Sequence, residues 1–179
     1  IKEKIVVTSG EEKDAVKKII INKAKEMNAE FIDATTIESS LESDLKGKYQ
    51  KKNIRVVLAL VDELRRQNLT ITDENVKSGL LNVSKNTNFI GRWFEFSQNP
   101  LTICDTGHNK AGLEEVFNQL KDYSQHKHIV LGFVNDKKID EVLEILPKNE
   151  TYYFVKPNVN RGRNPEAYED LLKKSEINY

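Results

Sequence analysis

The sequence contains a single cysteine, Cys104, among its 179 residues. One cysteine cannot form an intramolecular disulfide, and without further cysteines it gives no thiolate pattern for zinc. The apolar run LTIC (101–104) predicts that this side chain is buried as a small hydrophobe and does not act as a nucleophile. Disulfide-stabilised and zinc-stabilised proteins are therefore excluded as classes.

The sequence also lacks an excess of charge, because 28 Lys and Arg residues balance 28 Asp and Glu residues. Without net charge, no long-range field attracts nucleic acid or an anionic membrane, and we expect neither as a partner. No apolar run approaches the roughly 20 residues of a membrane-spanning helix, and no signal-peptide pattern is present. These absences predict a soluble, cytoplasmic protein.

Complete catalytic motifs are missing as well. The sequence has no G-x-x-x-x-G-K-[ST], G-x-G-x-x-G, H-E-x-x-H or G-x-S-x-G pattern, so it carries no complete phosphate cradle or nucleophile site. It begins with Ile1 instead of methionine and stops at Tyr179, directly after a predicted helix. We therefore expect a fragment of a longer protein.

The first half of the sequence predicts a βαβ unit followed by two helices. KIVVTSG (4–10) is a β-branched run, the next segment has apolar residues at Val16, Ile19, Ile20 and Ala24 for one buried helix face, and AEFID (29–33) gives a second strand. Residues 49–68 repeat apolar positions at helical spacing. A further helix follows Thr72, which is a predicted N-cap, and we expect these two successive helices to pack as a hairpin.

SKNTN (84–88) concentrates turn-forming residues, and we place a domain boundary there, between residues 86 and 87. Beyond it, strands alternate with helices: FIGRWFEFSQNP (89–100), LTIC, a helix over 110–123, HIVLGFV (128–134), a helix over 137–147, TYYFVK (151–156) and a helix over 165–174. This order predicts an α/β fold with a mainly parallel sheet.

Candidate functional residues follow the ends of predicted strands, where open α/β sheets bind ligands. Asp105 could hold a sugar diol or a cation, or could be a helix N-cap or an Asx-turn residue. His108 could carry a proton, or could be a solvated turn residue like His126 and His128. Arg92, predicted within a strand, could reach a phosphate, or could be a surface residue of an edge strand.

The next predicted strand end carries Asp136, Lys137 and Lys138. Asp136 could line the same edge as Asp105, or could be the N-cap of the following helix. The residues alone leave these alternatives open.

Four stretches in order, GKYQKKN (47–53), GRW (91–93), CDTGHN (104–109) and GFVNDK (132–137), resemble the second half of folylpolyglutamate synthases, which in many bacteria are also dihydrofolate synthases, of the Mur ligase family. The resemblance implies that residues 1–86 are the last part of an ATPase-like central domain. It also implies that residues 87–179 are most of a Rossmann-like C-terminal glutamate ligase domain.

By resemblance, Asn53 lies near adenine, Arg92 contacts phosphates and Asp105 binds the ribose hydroxyls. His108 and Asn109 face the cleft where glutamate meets an acyl phosphate, and His108, Asp136 and Lys137 contact substrate. The implied reaction joins L-glutamate to folate, or to dihydropteroate, with ATP and Mg²⁺. The metal ligands and P-loop are expected upstream of Ile1, so this chain alone is expected not to ligate, and its parent to be a monomer.

Several positions differ from the family pattern: Tyr49 replaces a histidine, Ile90 a proline, Thr106 and Gly107 an x-Ala pair, and Lys110 a proline. None of these is an implied nucleotide contact. Two alternatives remain open, namely another Mur-type amide ligase and a non-catalytic α/β nucleotide-binding module.

Overall fold

The computed structural model describes residues 6–135, 139–175 and 177–179. The chain divides into two compact units, Ile1–Cys104 and Asp105–Tyr179. The predicted domain boundary between residues 86 and 87 stays a prediction.

The first unit contains β1 (Val6–Ser9), α1 (Asp14–Glu26), β2 (Glu30–Asp33), a 3₁₀ turn (Ala34–Thr36), α2 (Gln50–Arg66), α3 (Asp73–Leu81), α4 (Val83–Thr87), β3 (Phe94–Gln98) and β4 (Leu101–Cys104). The second contains α5 (Lys110–Leu120), β5 (His128–Gly132), α6 (Ile139–Leu143), β6 (Thr151–Val155), a 3₁₀ turn (Pro165–Tyr168) and α7 (Glu169–Ser175).

The predicted βαβ unit is confirmed for its described residues. β1 and β2 pair in parallel, with Val6 opposite Glu30 and Ser9 opposite Asp33. Lys17 of α1 donates to the Asp33 carboxylate at 2.9 Å, and hydrogen bonds from Thr35 and then from Lys17 hold the pKa of Asp33 below its usual range. These bonds fix α1 to the carboxyl end of β2.

The predicted buried face of α1 is only partly correct. Ala24 is fully buried, but Val16 is exposed and Ile19 is 68% exposed. The spacing of apolar residues predicts a stripe, but the stripe is covered only where another element packs on it. α1 packs on β2 among the described elements, and this packing leaves the outer part of the stripe uncovered.

α2 and α3 pack as the sequence predicts. Ile54, Val76 and Leu80 form a small buried cluster. Thr72 is the N-cap of α3, where its hydroxyl accepts from the Asn75 N–H at 3.1 Å. The Asn75 side chain accepts in return from the Thr72 N–H, which completes a capping box.

The predicted linker 84–88 is not a loop, because α4 covers most of it. The Asp44 carboxylate accepts from the backbone N–H groups of Val83 at 3.1 Å and Ser84 at 2.8 Å. These are the first helical N–H groups of α4, which lack a partner within the helix. A contact about forty positions away along the chain therefore makes a helix from residues that locally favour a turn.

The strands after α4 form an antiparallel hairpin. β3 pairs with β4 through a turn at Asn99 and Pro100, whose peptide bond is cis, with Phe94 opposite Cys104. Cys104 is exposed, and the prediction that it is buried is wrong. β3 is the one described partner of β4, so among the described residues no larger sheet encloses the strand that ends at Cys104.

In the second unit, β5 and β6 pair in parallel, with Val130 opposite Tyr153. One face of this pair carries Leu131 and Tyr152 into the core, whereas Val130 and Tyr153 are exposed on the other. His128, predicted as a turn residue, begins β5 and stacks on Tyr153. The core is formed by Leu113, Phe117, Leu131, Phe133, Ile139, Val142, Leu146, Tyr152, Tyr168, Leu172 and Ile177.

Glu150 and Lys127 connect the starts of β6 and β5. The Glu150 carboxylate accepts from both the backbone N–H and the ammonium group of Lys127. Burial opposes ionisation of Glu150, but these bonds outweigh it and hold the pKa of the carboxyl below its usual range. The ionised carboxylate therefore stabilises the fold.

We expect Glu150→Gln to lower the free energy of unfolding by about 1–3 kcal/mol near neutral pH, the usual magnitude for hydrogen bonds to a charged group. Because the folded pKa is lowered, this contribution is present above the unfolded value of about 4.3 and is lost as pH falls below it. Urea unfolding as a function of pH measures the difference. The control is Glu169→Gln, which removes an exposed i,i+4 pair with Lys173 and should cost less than about 1 kcal/mol. A difference between wild type and Glu150→Gln that grows toward acid would contradict this assignment.

Among the described residues, none of the helices combines the length and the apolar character of a membrane-spanning segment.

Candidate functional site

A cleft lies beside the carboxyl end of β1, and it contains the first sequence-predicted site residue. We call it the β1–α2 cleft; its volume is about 480 Å³ and its lining is Ser9, Gly10, Glu11, Glu12, Lys13, Ile20, Lys52, Asn53 and Val56. A Cβ atom at Gly10 would lie 2.8 Å from Cγ2 of Val56. Glycine therefore permits the close approach of the strand end to α2.

Asn53 lies in the first turns of α2, and its exposed side chain lines the β1–α2 cleft. Its Nδ2 donates to Oε1 of Gln50 at 2.8 Å. Gln50 is only 8% exposed and is one of two buried polar side chains among the described residues. The sequence motifs assign no role to Gln50; the signal that could have found it is its position one helical turn before Asn53.

Arg92 lies at a second cleft of the first unit, with a volume of about 260 Å³. Its guanidinium lies 5.8 Å from the centre of the Phe89 ring and donates to the carbonyl oxygen of Gly91 at 3.0 Å. The prediction that Arg92 lies within a strand is wrong, because β3 begins at Phe94. Gly91 and Trp93 both have positive φ, 125° and 52°, and the chain bends at this point.

Trp93 holds this bend in place. A bulky residue in the left-handed region is an outlier that persists only where its surroundings impose it. Trp93 is 2% exposed, so burial of the indole supplies that constraint. Next to it, Lys46 and Gln98 donate to Glu95 and hold the pKa of its carboxyl below the usual range.

Asp105 follows β4 directly and makes a tight turn. Its Oδ1 accepts from the Gly107 N–H at 2.7 Å, which is an Asx turn. The N-cap of α5 is Asn109, whose side-chain oxygen accepts from the Gly112 N–H at 2.8 Å. Asp105 therefore forms the Asx turn, and the N-cap of α5 is Asn109 and not Asp105.

His108 is exposed between these residues. Its Nδ1 lies 3.0 Å from the carbonyl oxygen of Thr106. A carbonyl oxygen can only accept, so this bond requires a proton on Nδ1 and leaves Nε2 as the basic nitrogen of the neutral ring. The turn thus presents an imidazole nitrogen within three residues of the Asp105 carboxylate.

The sequence-predicted residues form three groups in the structure. Asn53 and Arg92 line separate clefts of the first unit. Asp105, His108 and Asn109 lie together in the turn before α5. Asp136 and Lys137 lie outside the described residues. Within the described ranges, no group of three or more His, Cys, Asp or Glu side chains could hold a metal ion.

Residues 91–179 match the family described as "Mur ligase, glutamate ligase domain". A curated relative is a probable bifunctional folylpolyglutamate synthase/dihydropteroate synthase from Haloferax volcanii. It is 25% identical over 147 residues, covering 79% of this chain and 17% of the relative.

Two solved structures share the fold over nearly the whole chain. A Mycobacterium tuberculosis folylpolyglutamate synthase in complex with ADP and AMPPCP has a TM-score of 0.78 at 17% identity, covering 96% of this chain and 43% of its own. A bifunctional folylpolyglutamate synthase/dihydrofolate synthase from Yersinia pestis, with AMPPNP and a Mn ion, has a TM-score of 0.75 at 21% identity, covering 96% and 44%. The α/β fold with parallel strand pairs is confirmed, and the chain spans less than half the length of these proteins.

Proposed function

Because residues 91–179 match the glutamate ligase domain of Mur ligases and the chain is similar to folylpolyglutamate synthases, we propose that it is the C-terminal part of an ATP-dependent ligase that adds L-glutamate to folate. The observation that carries this proposal is the turn 105–109. A carboxylate, an imidazole and a helix-capping amide lie together there at the end of a strand, within the residues that match the family.

The proposed reaction passes through an acyl phosphate. The γ-phosphate of ATP moves to a carboxylate of the folate, and the amine of L-glutamate then attacks the acyl carbon and displaces phosphate. Catalysis of this kind depends on positioning and on neutralising phosphate charge. Divalent metal would supply part of that charge from outside this chain, in keeping with the Mn ion in the solved synthase from Yersinia pestis.

Each candidate residue has a role that suits its surroundings. Asp105 would accept from a ribose hydroxyl through the carboxylate that its turn holds in place. Arg92, presented by the bend at Gly91 and Trp93, would contact phosphate oxygens with its fork of donors. His108 would offer Nε2 to the glutamate amine as a proton acceptor, with Asn109 beside it. Asn53 would contact the adenine in the β1–α2 cleft.

We also propose that the chain is a fragment. It spans 43% of the Mycobacterium tuberculosis synthase and 44% of the Yersinia pestis synthase, and its own sequence has no P-loop pattern. The reading frame upstream of Ile1 tests this directly. A G-x-x-G-K-[ST] loop there supports the ligase, whereas its absence favours a non-catalytic nucleotide-binding module.

The isolated 179-residue chain should bind ATP weakly and should not turn it over. We expect millimolar affinity, because a site without a P-loop lacks the backbone cradle that holds the phosphates. NMR titration measures the affinity, and incubation with ATP, folate and L-glutamate followed by product chromatography measures activity. Micromolar affinity or glutamylated product from this chain alone would contradict the proposed division of the site.

A further inference from the structure

Gln50 is a buried polar side chain to which the proposed function gives no part. It begins α2, where its own N–H donates to the carbonyl oxygen of Gly47 at 2.9 Å, and it is 8% exposed. A buried carboxamide is costly unless it is hydrogen-bonded. The bond that Gln50 makes is to Asn53, the residue that faces the β1–α2 cleft.

This bond selects one of two orientations of the Asn53 carboxamide. Rotation by half a turn exchanges its oxygen and its nitrogen, and the two orientations offer opposite hydrogen-bonding groups to a ligand. Oε1 of Gln50 accepts from Nδ2 of Asn53 at 2.8 Å. An oxygen in the place of Nδ2 could not donate, so as long as Gln50 presents Oε1 the bond keeps Oδ1 on the side away from Gln50.

We propose that Gln50 is a positioning residue that orients the Asn53 carboxamide so that the β1–α2 cleft selects a purine with an amino group at position 6 over one with a carbonyl group there. This inference rests on the proposed nucleotide site. A 6-amino purine places an N–H donor beside a ring-nitrogen acceptor, and these match the oxygen and the second N–H of an asparagine amide. A 6-oxo purine would bring its carbonyl oxygen against Oδ1, and turning the Asn53 amide to fit it would require the Gln50 amide to turn as well, because Oε1 of Gln50 would no longer face a donor.

The cleft has the size and the charge for such a base. Its volume of about 480 Å³ lies within the range of small-molecule sites, about 300–1,000 Å³. Lys52 in its wall forms an ion pair with Glu12 at 3.0 Å. The lining carries two acidic and two basic residues, Glu11, Glu12, Lys13 and Lys52, so their formal charges balance and the hydrogen-bond pattern of the Asn53 amide would decide between neutral bases.

The test compares ATP with ITP, which differ at position 6 of the purine, by NMR titration of the 179-residue chain. We expect wild type to bind ATP at least about fivefold more tightly than ITP. Gln50→Met, similar in length but with only a weakly accepting sulfur in place of the carboxamide oxygen, should reduce the ratio to less than about twofold and shift the Asn53 side-chain amide signals. Gln50→Glu should retain the ratio, since a carboxylate accepts from Nδ2 and cannot donate to Oδ1.

The outcomes separate this inference from the function on which it rests. Equal affinities for ATP and ITP in wild type, or an unchanged ratio in Gln50→Met, would overturn the role of Gln50 and leave the nucleotide site standing. Loss of selectivity in Gln50→Glu would also overturn it, because that result requires the reverse pairing, in which Gln50 donates. If millimolar ATP moves no signal of the β1–α2 cleft, both the inference and the proposed site are wrong. Asn53→Ala serves as the reference and should weaken ATP binding while abolishing the selectivity.

Discussion

Asp105→Asn should lower kcat/KM for ATP at least about tenfold in the proposed full-length ligase, a loss of about 1.4 kcal/mol of transition-state stabilisation. The structural reason lies in the two oxygens of the side chain. Oδ1 accepts from the Gly107 N–H, and asparagine retains this acceptor and thus the turn. Asparagine replaces the second oxygen with an amide group, which cannot accept a hydrogen bond from a ribose hydroxyl.

Comparison with Asp105→Ala separates the two roles of the side chain. Alanine removes the turn as well as the proposed ribose contact, so we expect a larger loss of activity together with changed amide signals for Gly107 and its neighbours. Steady-state kinetics with varied ATP, at saturating folate and glutamate, measures both variants. Wild-type ATP kinetics for Asp105→Asn would show that the carboxylate serves the turn alone.

Tyr168→Ala should lower the free energy of unfolding of residues 105–179 by about 3–5 kcal/mol, the usual cost of removing a buried aromatic side chain. Tyr168 is completely buried. Its ring centre lies 5.2 Å from that of Phe154 and 6.4 Å from that of Phe133, and the Arg163 guanidinium lies 5.9 Å from it. Truncation would leave a cavity among groups from three other segments of the unit.

Two matched variants define this result. Tyr168→Phe keeps the ring contacts and should stay within about 1 kcal/mol of wild type. Tyr153→Ala removes the same side chain from the outer face of β6, where it is 47% exposed, and should cost less than about 1.5 kcal/mol. Urea unfolding followed by the amide signals of β5 and β6 reports on this unit. Equal losses for Tyr168→Ala and Tyr153→Ala would contradict the attribution of the larger loss to the burial of Tyr168.

The elements that the sequence predicts best are those fixed by local periodicity. α2 and the parallel strands β1 and β2 are examples, because the apolar spacing of the helix and the strand propensity of the two segments agree with the contacts that they make. The Thr72 cap is another, since the cap and its partner Asn75 are three residues apart. Such features need no information from distant parts of the chain.

The features that the sequence did not reveal depend on distant contacts or on backbone conformation. α4 forms over residues that locally favour a turn, because the Asp44 carboxylate accepts from the first N–H groups of the helix. Arg92 leaves the strand because Gly91 and Trp93 take positive φ values, and positive φ at a tryptophan is against all local preference. The hydrogen bond between Gln50 and Asn53 is compatible with the sequence, because the two residues lie one helical turn apart. The sequence does not show that Gln50 is buried, and this burial is what distinguishes it from other polar residues of the helix.

Cys104 is a suitable site for attaching a spectroscopic probe. It is the only cysteine of the sequence, it is exposed, and it directly precedes Asp105. A maleimide-linked fluorophore or nitroxide would therefore attach at one defined position without any substitution to remove competing thiols. Its emission or line shape would report on events at the neighbouring turn in otherwise native protein.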